Sequence, residues 1–154
     1  MLLNQLVDYP PVTVLSLQAT CKHADLGPTI SASFGQIGRS AEGIQQAGAP
    51  RVYYVEWLPD SCTIQAAIPV ETSVDPAGDV TLTHLPAGTA LMESYFGPYS
   101  GLADAWTQMW KAIEDQGLKA TGVCWDEYVT DPGEEPDESK WQTDLFVAVD
   151  IPKL

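Results

Sequence analysis

The chain nearly repeats itself, and that repeat limits its architecture more than any other feature. Val12-Thr13-Val14-Leu15-Ser16-Leu17 is an apolar, β-branched run that predicts a strand. A turn at Gly27-Pro28 follows it. Ile30, Phe34, Ile37, Ala41 and Ile44 then fall on one helical stripe, with Gly48 and Pro50 as its stop. Strands over 51–57 and 62–70 come next, joined at Leu58-Pro59-Asp60-Ser61. The second half runs in the same order. A strand over 89–96 leads to Gly97-Pro98. Tyr99, Leu102, Trp106, Met109, Trp110 and Ile113 form a second helical stripe, which Gly117 stops. Strands over 122–129 and 142–151 close the unit around an acidic loop at 130–140.

Each half therefore reads β-α-β-β. We place repeat 1 at about 9–72, a turn-rich linker at about 73–79 and repeat 2 at about 80–154. The whole of 1–154 is then one α+β domain. An alternating strand, Val80 to Leu85, opens the second repeat. Paired hairpins imply antiparallel sheets, and each helix must cover one sheet face to bury its stripe. Two such units are expected to pack about a pseudo-two-fold axis, with a ligand cleft between the halves.

Charge removes one class of function. The net charge is −14, and only seven Lys and Arg are scattered along the chain. Direct nucleic-acid binding needs a basic footprint to displace counterions from phosphate, and none is present. Cys21, Cys62 and Cys124 are odd in number and far apart in sequence. They read as small buried residues of a reducing compartment. His23 and His84 share no metal-ligand spacing. No metal and no cofactor is expected, since triad, phosphate loop and ligand set are all missing. No apolar run approaches the roughly 20 residues that a membrane span requires. The start of the chain does not read as a signal peptide, so the expected location is cytoplasmic.

A succession of motifs carries a family resemblance. Leu85-Pro86-Ala87-Gly88-Thr89-Ala90-Leu91 is followed by Tyr95-Phe96-Gly97-Pro98-Tyr99, Leu102 and Ala105-Trp106. Then come Gly117-Leu118, the segment Trp125-Asp126-Glu127-Tyr128-Val129-Thr130-Asp131-Pro132, and Trp141-Gln142-Thr143-Asp144-Leu145. Ile68-Pro69-Val70 matches the close of the first half. In this order the motifs resemble the GyrI-like family, also called the bacterial effector-binding domain. The resemblance implies a duplicated β-α-β-β fold with a cleft at the pseudo-dyad. Relatives are ligand-sensing domains of multidrug-responsive activators, free-standing binders, or hydrolases that open cyclopropane rings of DNA-alkylating natural products. The sequence departs from the family in three ways. No helix-turn-helix pattern precedes the domain, which points to a stand-alone form. Asp126 stands where the family has Glu, with Glu127 beside it. Gln65 occupies a first-half position that is often acidic.

Strand alternation suggests a site. Asp126 and Tyr128 share one face, and Trp125 and Glu127 the other. On the last strand, Leu145, Val147 and Val149 are uniformly aliphatic and should meet the helix. Asp144 and Phe146 then face the cleft. On that argument Asp126, Tyr128, Asp144 and Phe146 line one wall. Tyr54 is the first-half candidate, and Tyr95 lies at the mouth of the Gly97-Pro98 turn. Trp125 reads as core or cage, and Asp126 and Glu127 are alternatives for the acid that meets the ligand. Trp106 and Trp110 read as core.

Such a wall suits a small hydrophobic or cationic aromatic ligand, since ring faces attract cations and stack on flat molecules. The first functional expectation is thus a xenobiotic or multidrug binding protein. The alternatives are a cyclopropanoid hydrolase with no assigned catalytic residue, and a protein-binding regulator of gyrase. A separate regulator that reads the bound state is a further expected partner.

Overall fold

Apolar alternation and the two helical stripes resolve into eight strands and two long helices in a computed structural model, which describes residues 4–71 and 73–151. Position 72, at the close of the first repeat, and positions 152–154, at the end of the second, lie outside the described residues. The elements in chain order are β1 (Asn4–Tyr9), β2 (Val12–Lys22), α1 (Leu26–Arg39), β3 (Arg51–Trp57) and β4 (Ser61–Pro69). They are followed by β5 (Thr81–Leu85), β6 (Gly88–Phe96), α2 (Leu102–Asp115), β7 (Lys119–Tyr128) and β8 (Gln142–Asp150). The protein is α+β, and every strand pairing described below is antiparallel.

The repeats exchange their leading strands. β1, which the sequence reading did not anticipate, pairs with β6 of the second repeat, in register from Asn4 opposite Glu93 to Tyr9 opposite Gly88. β5 pairs back onto β2 of the first repeat, from Val12 opposite Leu85 to Ser16 opposite Thr81. One compact unit consequently holds Pro11–Pro86, and the other holds the chain up to Pro10 together with everything from Ala87 onward. The unit boundaries fall at Pro10-Pro11 and at Pro86-Ala87, not at the 73–79 linker. Proline suits these crossings because it donates no ladder hydrogen bond. Both units have the same strand order: β1-β6-β8-β7 in one, β5-β2-β4-β3 in the other.

In the Pro11–Pro86 unit, α1 is shorter than its apolar stripe suggested. It begins at Leu26, so Gly27 and Pro28 lie in its first turn, where the missing proline N–H has no intrahelical acceptor to lose. It ends at Arg39, and the Ser40 hydroxyl donates to the Ile37 carbonyl at 2.7 Å. Ala41 and Ile44 fall outside it, and Gly48 is not its stop. Gly35 and Gly38 weaken the helix by about 1 kcal/mol each relative to alanine. The following backbone is drawn to the end of β4, with Ala47 N–H bonded to the Pro69 carbonyl at 2.8 Å. Ile44 still packs on the core of Leu15, Leu17, Ile37, Ala66, Val70 and Val80.

In the other unit, α2 lies on the sheet through Ala105, Met109 and Ile113, which pack on Leu91, Leu145, Val147 and Val149. Its end is a Schellman motif. Gly117 takes φ +65, its N–H bonds the Glu114 carbonyl, and Leu118 N–H bonds the Ile113 carbonyl, both at 3.0 Å. β7 begins earlier than expected because it accommodates a bulge between Ala120 and Cys124, where Gly122 has φ +102.

Glu93 on β6 faces this core and is 2% exposed. Burial pushes its carboxyl above the usual 4.5, against a hydrogen bond with the Asn4 side chain that favours the charged form. The neutral acid is thus the better-tolerated form in the fold. Its contribution is complete below the unfolded-state value and is lost as pH rises through the folded value. Glu93→Gln should gain stability over the wild type as pH is raised from 4 to 7, read by urea unfolding at each pH. A difference that does not change with pH would show that the carboxyl keeps its ordinary value in the fold.

Candidate functional site

The register of β7 decides which side chains meet. Asp126 lies opposite Leu145 and Tyr128 opposite Thr143, on the face that α2 covers. Trp125 lies opposite Phe146 and Glu127 opposite Asp144, on the reverse face. The expected wall of Asp126, Tyr128, Asp144 and Phe146 is therefore divided between the two sides of the sheet. The error came from treating the acid-and-aromatic sets of β7 and β8 as one face. Antiparallel pairing puts directly opposed residues on the same side, so Asp126 goes with Leu145.

On the α2 side, Asp126 is fully buried, and the Trp106 indole Nε1–H of α2 donates to its Oδ2 at 3.3 Å. Trp110 stacks beside Trp106, with ring centroids 6.5 Å apart. Both are helix residues one position on from Ala105 and Met109, about 100° around the helix from the core line. Trp110 is 43% exposed, so it is not core. Tyr99, in the short 3-10 turn before α2, meets Tyr128 edge-on at 5.6 Å and Trp141 at 5.0 Å. The acidic loop has a part in this arrangement. Its Glu135 carbonyl accepts from the Trp141 indole at 2.8 Å, and Asp131 folds the loop by accepting from Gly133 N–H at 2.8 Å.

The result is a carboxylate in an aromatic surround. Burial, and then the charges of Asp126 and Asp131, push the Tyr99 phenol above its usual 10.0. It stays a neutral hydrogen-bond donor at physiological pH. Burial, with Asp126 adding to it, pushes the Cys124 thiol up to about 11, so it offers little thiolate for nucleophilic chemistry. Among the described residues, no group of three or more His, Cys, Asp and Glu is arranged to hold a metal ion. No helix among them is long and apolar enough to cross a membrane.

The remaining expected site residues fall elsewhere. On the reverse face, Trp125 is 2% exposed and stacks on Phe146 at 4.8 Å with rings nearly parallel. Its indole donates to Glu127 Oε2 at 3.0 Å, and Tyr9 meets it edge-on at 5.1 Å. Asp144 Oδ1 accepts from Ser94 and Gln142 at 2.7 and 2.9 Å. Tyr54 belongs to the Pro11–Pro86 unit. There it lies opposite Ile64 and meets Trp57 edge-on at 6.1 Å. Tyr95 is on the α2 side, and its hydroxyl donates to the Pro98 carbonyl at 2.7 Å. Its ring fills the space where a Cβ on Gly101 would stand. Tyr95 thus fixes the entry to α2.

Sequence reasoning missed the parts played by Tyr99, Trp106, Trp110 and Trp141. The spacing of Trp106 and Trp110, four apart and out of phase with Ala105 and Met109, was the available signal.

A model of the GyrI-like small molecule binding domain matches residues 5–150, and the chain belongs to that family. The fold is shared with solved structures of low sequence identity. The EcmrR C-terminal domain superposes with a TM-score of 0.85 at 19% identity, over 99% of both chains. In the EcmrR–DNA complex the TM-score is 0.87 at 18% identity, over 98% of this chain but only 58% of that one. SAV2435 bound to tetraphenylphosphonium gives 0.66 at 13% identity, over 96% of this chain and 93% of that one. A hydrolase from Listeria innocua gives 0.65 at 12%, over 96% and 91%. No curated protein matches the chain.

Removing the Tyr95 hydroxyl tests the clasp at α2. Tyr95→Phe should lose about 1 kcal/mol in chemical denaturation, the net worth of one hydrogen bond. Gly101→Ala should cost about 1–3 kcal/mol by overpacking against the ring. Wild-type stability in both variants would mean that Tyr95 does not hold the helix start.

Proposed function

We propose that this GyrI-like domain binds planar aromatic cations at the α2 side of β7, with Asp126 supplying the charge and Tyr99, Trp106, Trp110, Tyr128 and Trp141 the ring surfaces. The observation that carries the reading is the fully buried Asp126 carboxylate, held by a 3.3 Å bond from a tryptophan that itself stacks on a half-exposed tryptophan. Burying a carboxylate is costly, and an opposite charge offsets that cost more than a neutral donor does. A cation reaching Asp126 would add a full opposite charge beside the indole N–H. The rings would add about 0.5–2 kcal/mol per cation–π contact. The same surfaces would also stack on neutral flat molecules. A structure of this fold with tetraphenylphosphonium bound, an aromatic cation though not a planar one, supports the cationic and aromatic character of the ligand.

Calorimetric titration separates charge from stacking. With tetraphenylphosphonium as probe, Asp126→Asn should weaken binding about tenfold or more, since a charge-assisted contact contributes about 1.5–3 kcal/mol. Triphenylphosphine oxide, neutral and similarly aromatic, should bind the variant within about twofold of wild type. Trp110→Ala should weaken both ligands. Equal losses for both in Asp126→Asn would make Asp126 structural and end this reading.

A second reading, hydrolysis of a strained ring, draws on the Tyr99 phenol, which burial and then Asp126 hold above its usual value, as a hydrogen-bond donor to a substrate carbonyl. Incubation with a cyclopropane-bearing alkylator should then yield product heavier by one water. Intact alkylator at stoichiometric protein, with binding retained, would leave binding alone.

A further inference from the structure

We propose that Cys21 and Cys62 form a reversible disulfide between β2 and β4, giving the Pro11–Pro86 unit a thiol-oxidation site. The two cysteines, far apart in sequence, are direct partners in the antiparallel ladder, and their sulfurs are 4.0 Å apart. Opposed residues in such a ladder have Cα atoms about 4.5–5.5 Å apart. That lies inside the range of about 4.4–6.8 Å spanned by disulfides. At that Cα spacing, side-chain rotation can bring the sulfurs toward the bond length of about 2.05 Å. The neighbouring contacts hold the pair in this register. Thr20 and Thr63 hydroxyls share a hydrogen bond at 2.8 Å, and His23 Nε2–H donates to the Ser61 carbonyl at 3.0 Å.

The two sulfurs differ in access, which sets the order of events. Cys21 is partly exposed, whereas Cys62 is 1% exposed and burial, with Cys21 beside it, pushes its thiol up to about 11. Cys21 therefore meets the oxidant. With a low-molecular-weight disulfide such as oxidised glutathione, the Cys21 thiolate attacks one sulfur and expels a glutathione thiolate, leaving a mixed disulfide. Cys62 then loses its proton and attacks the Cys21 sulfur, expelling the second glutathione. One protein disulfide forms, one glutathione disulfide is reduced, and the two cysteine protons end on the two glutathione thiols. The product ties β2 to β4 across the residues between them, which include α1 and β3, and restricts the unfolded chain.

Incubating the full chain in glutathione buffers of rising oxidised fraction, then alkylating, digesting and weighing the peptides, tests the proposal. The expected product is a linked Cys21–Cys62 peptide pair, with Cys124 as the remaining alkylated thiol and a Tm above that of the reduced chain. Cys62→Ser should stop at the Cys21–glutathione adduct that the wild type resolves. Cys21 and Cys62 both alkylated at the most oxidising ratio, a persistent glutathione adduct on wild-type Cys21, or a link between two chains would overturn it. The wild-type peptide map decides the matter even if the variant does not fold.

Discussion

The pairing of β7 with β8 is the constraint on which the candidate site depends. Asp126 is opposite Leu145, and Leu145 is in the core beneath α2. A slip of one residue would turn Trp125 and Glu127 toward the helix and send Asp126 to the reverse face. The register is held by burial on both sides of the sheet: Leu145 and Val147 against α2, and Phe146 against Trp125 on the other face. An acid is consequently kept buried under a helix, beside aromatic side chains.

The helix has a double task. Ala105, Met109 and Ile113 attach it to the sheet, while Trp106 and Trp110 on its flank provide ring surface beside Asp126. Its two ends are fixed differently. The N-terminal entry depends on the Tyr95 ring over Gly101 and its bond to Pro98, and the C-terminal end on the left-handed turn at Gly117. Tyr99 and Trp141 are placed by local backbone, the one in the 3-10 turn before α2, the other tethered to the acidic loop. That loop is tied to the ring cluster through Trp141, whose indole bonds the Glu135 carbonyl and whose backbone N–H bonds the Glu138 carbonyl. The family membership and the aromatic cation proposal meet at this cluster.

Part of this was legible beforehand. The β-α-β-β order, the acid at Asp126, Tyr128 beside it and the Gly117 stop are all local in origin, set by alternation, periodicity and turn chemistry. The leading strands were not. β1 is a short edge strand with a weak apolar pattern, and its partner β6 is some 80 positions away in sequence. α1 also defied its stripe, because two glycines and backbone bonds to the end of β4 outweighed apolar spacing. Trp110 was misread as core because the stripe included residues on both of its sides, whereas Trp106 does pack against the core, half-buried. Tyr54 was read as the first-half candidate and Tyr95 as lying at the mouth of the Gly97-Pro98 turn; Tyr54 meets Trp57, and Tyr95 bonds the Pro98 carbonyl of that turn.

Local chemistry in the chain determined the repeated unit, the 58–61 hairpin turn, the Gly117 stop, and an aromatic-rich, acid-bearing second half. It did so because these depend on neighbours within a few residues. Tertiary structure alone decided that β1 and β5 are exchanged, that Asp126 lies under α2 with Trp106 above it, and that Cys21 stands opposite Cys62. The reason is physical: a strand presents its residues alternately to two faces, and only the partner strand and the layer packed on it determine which face is covered.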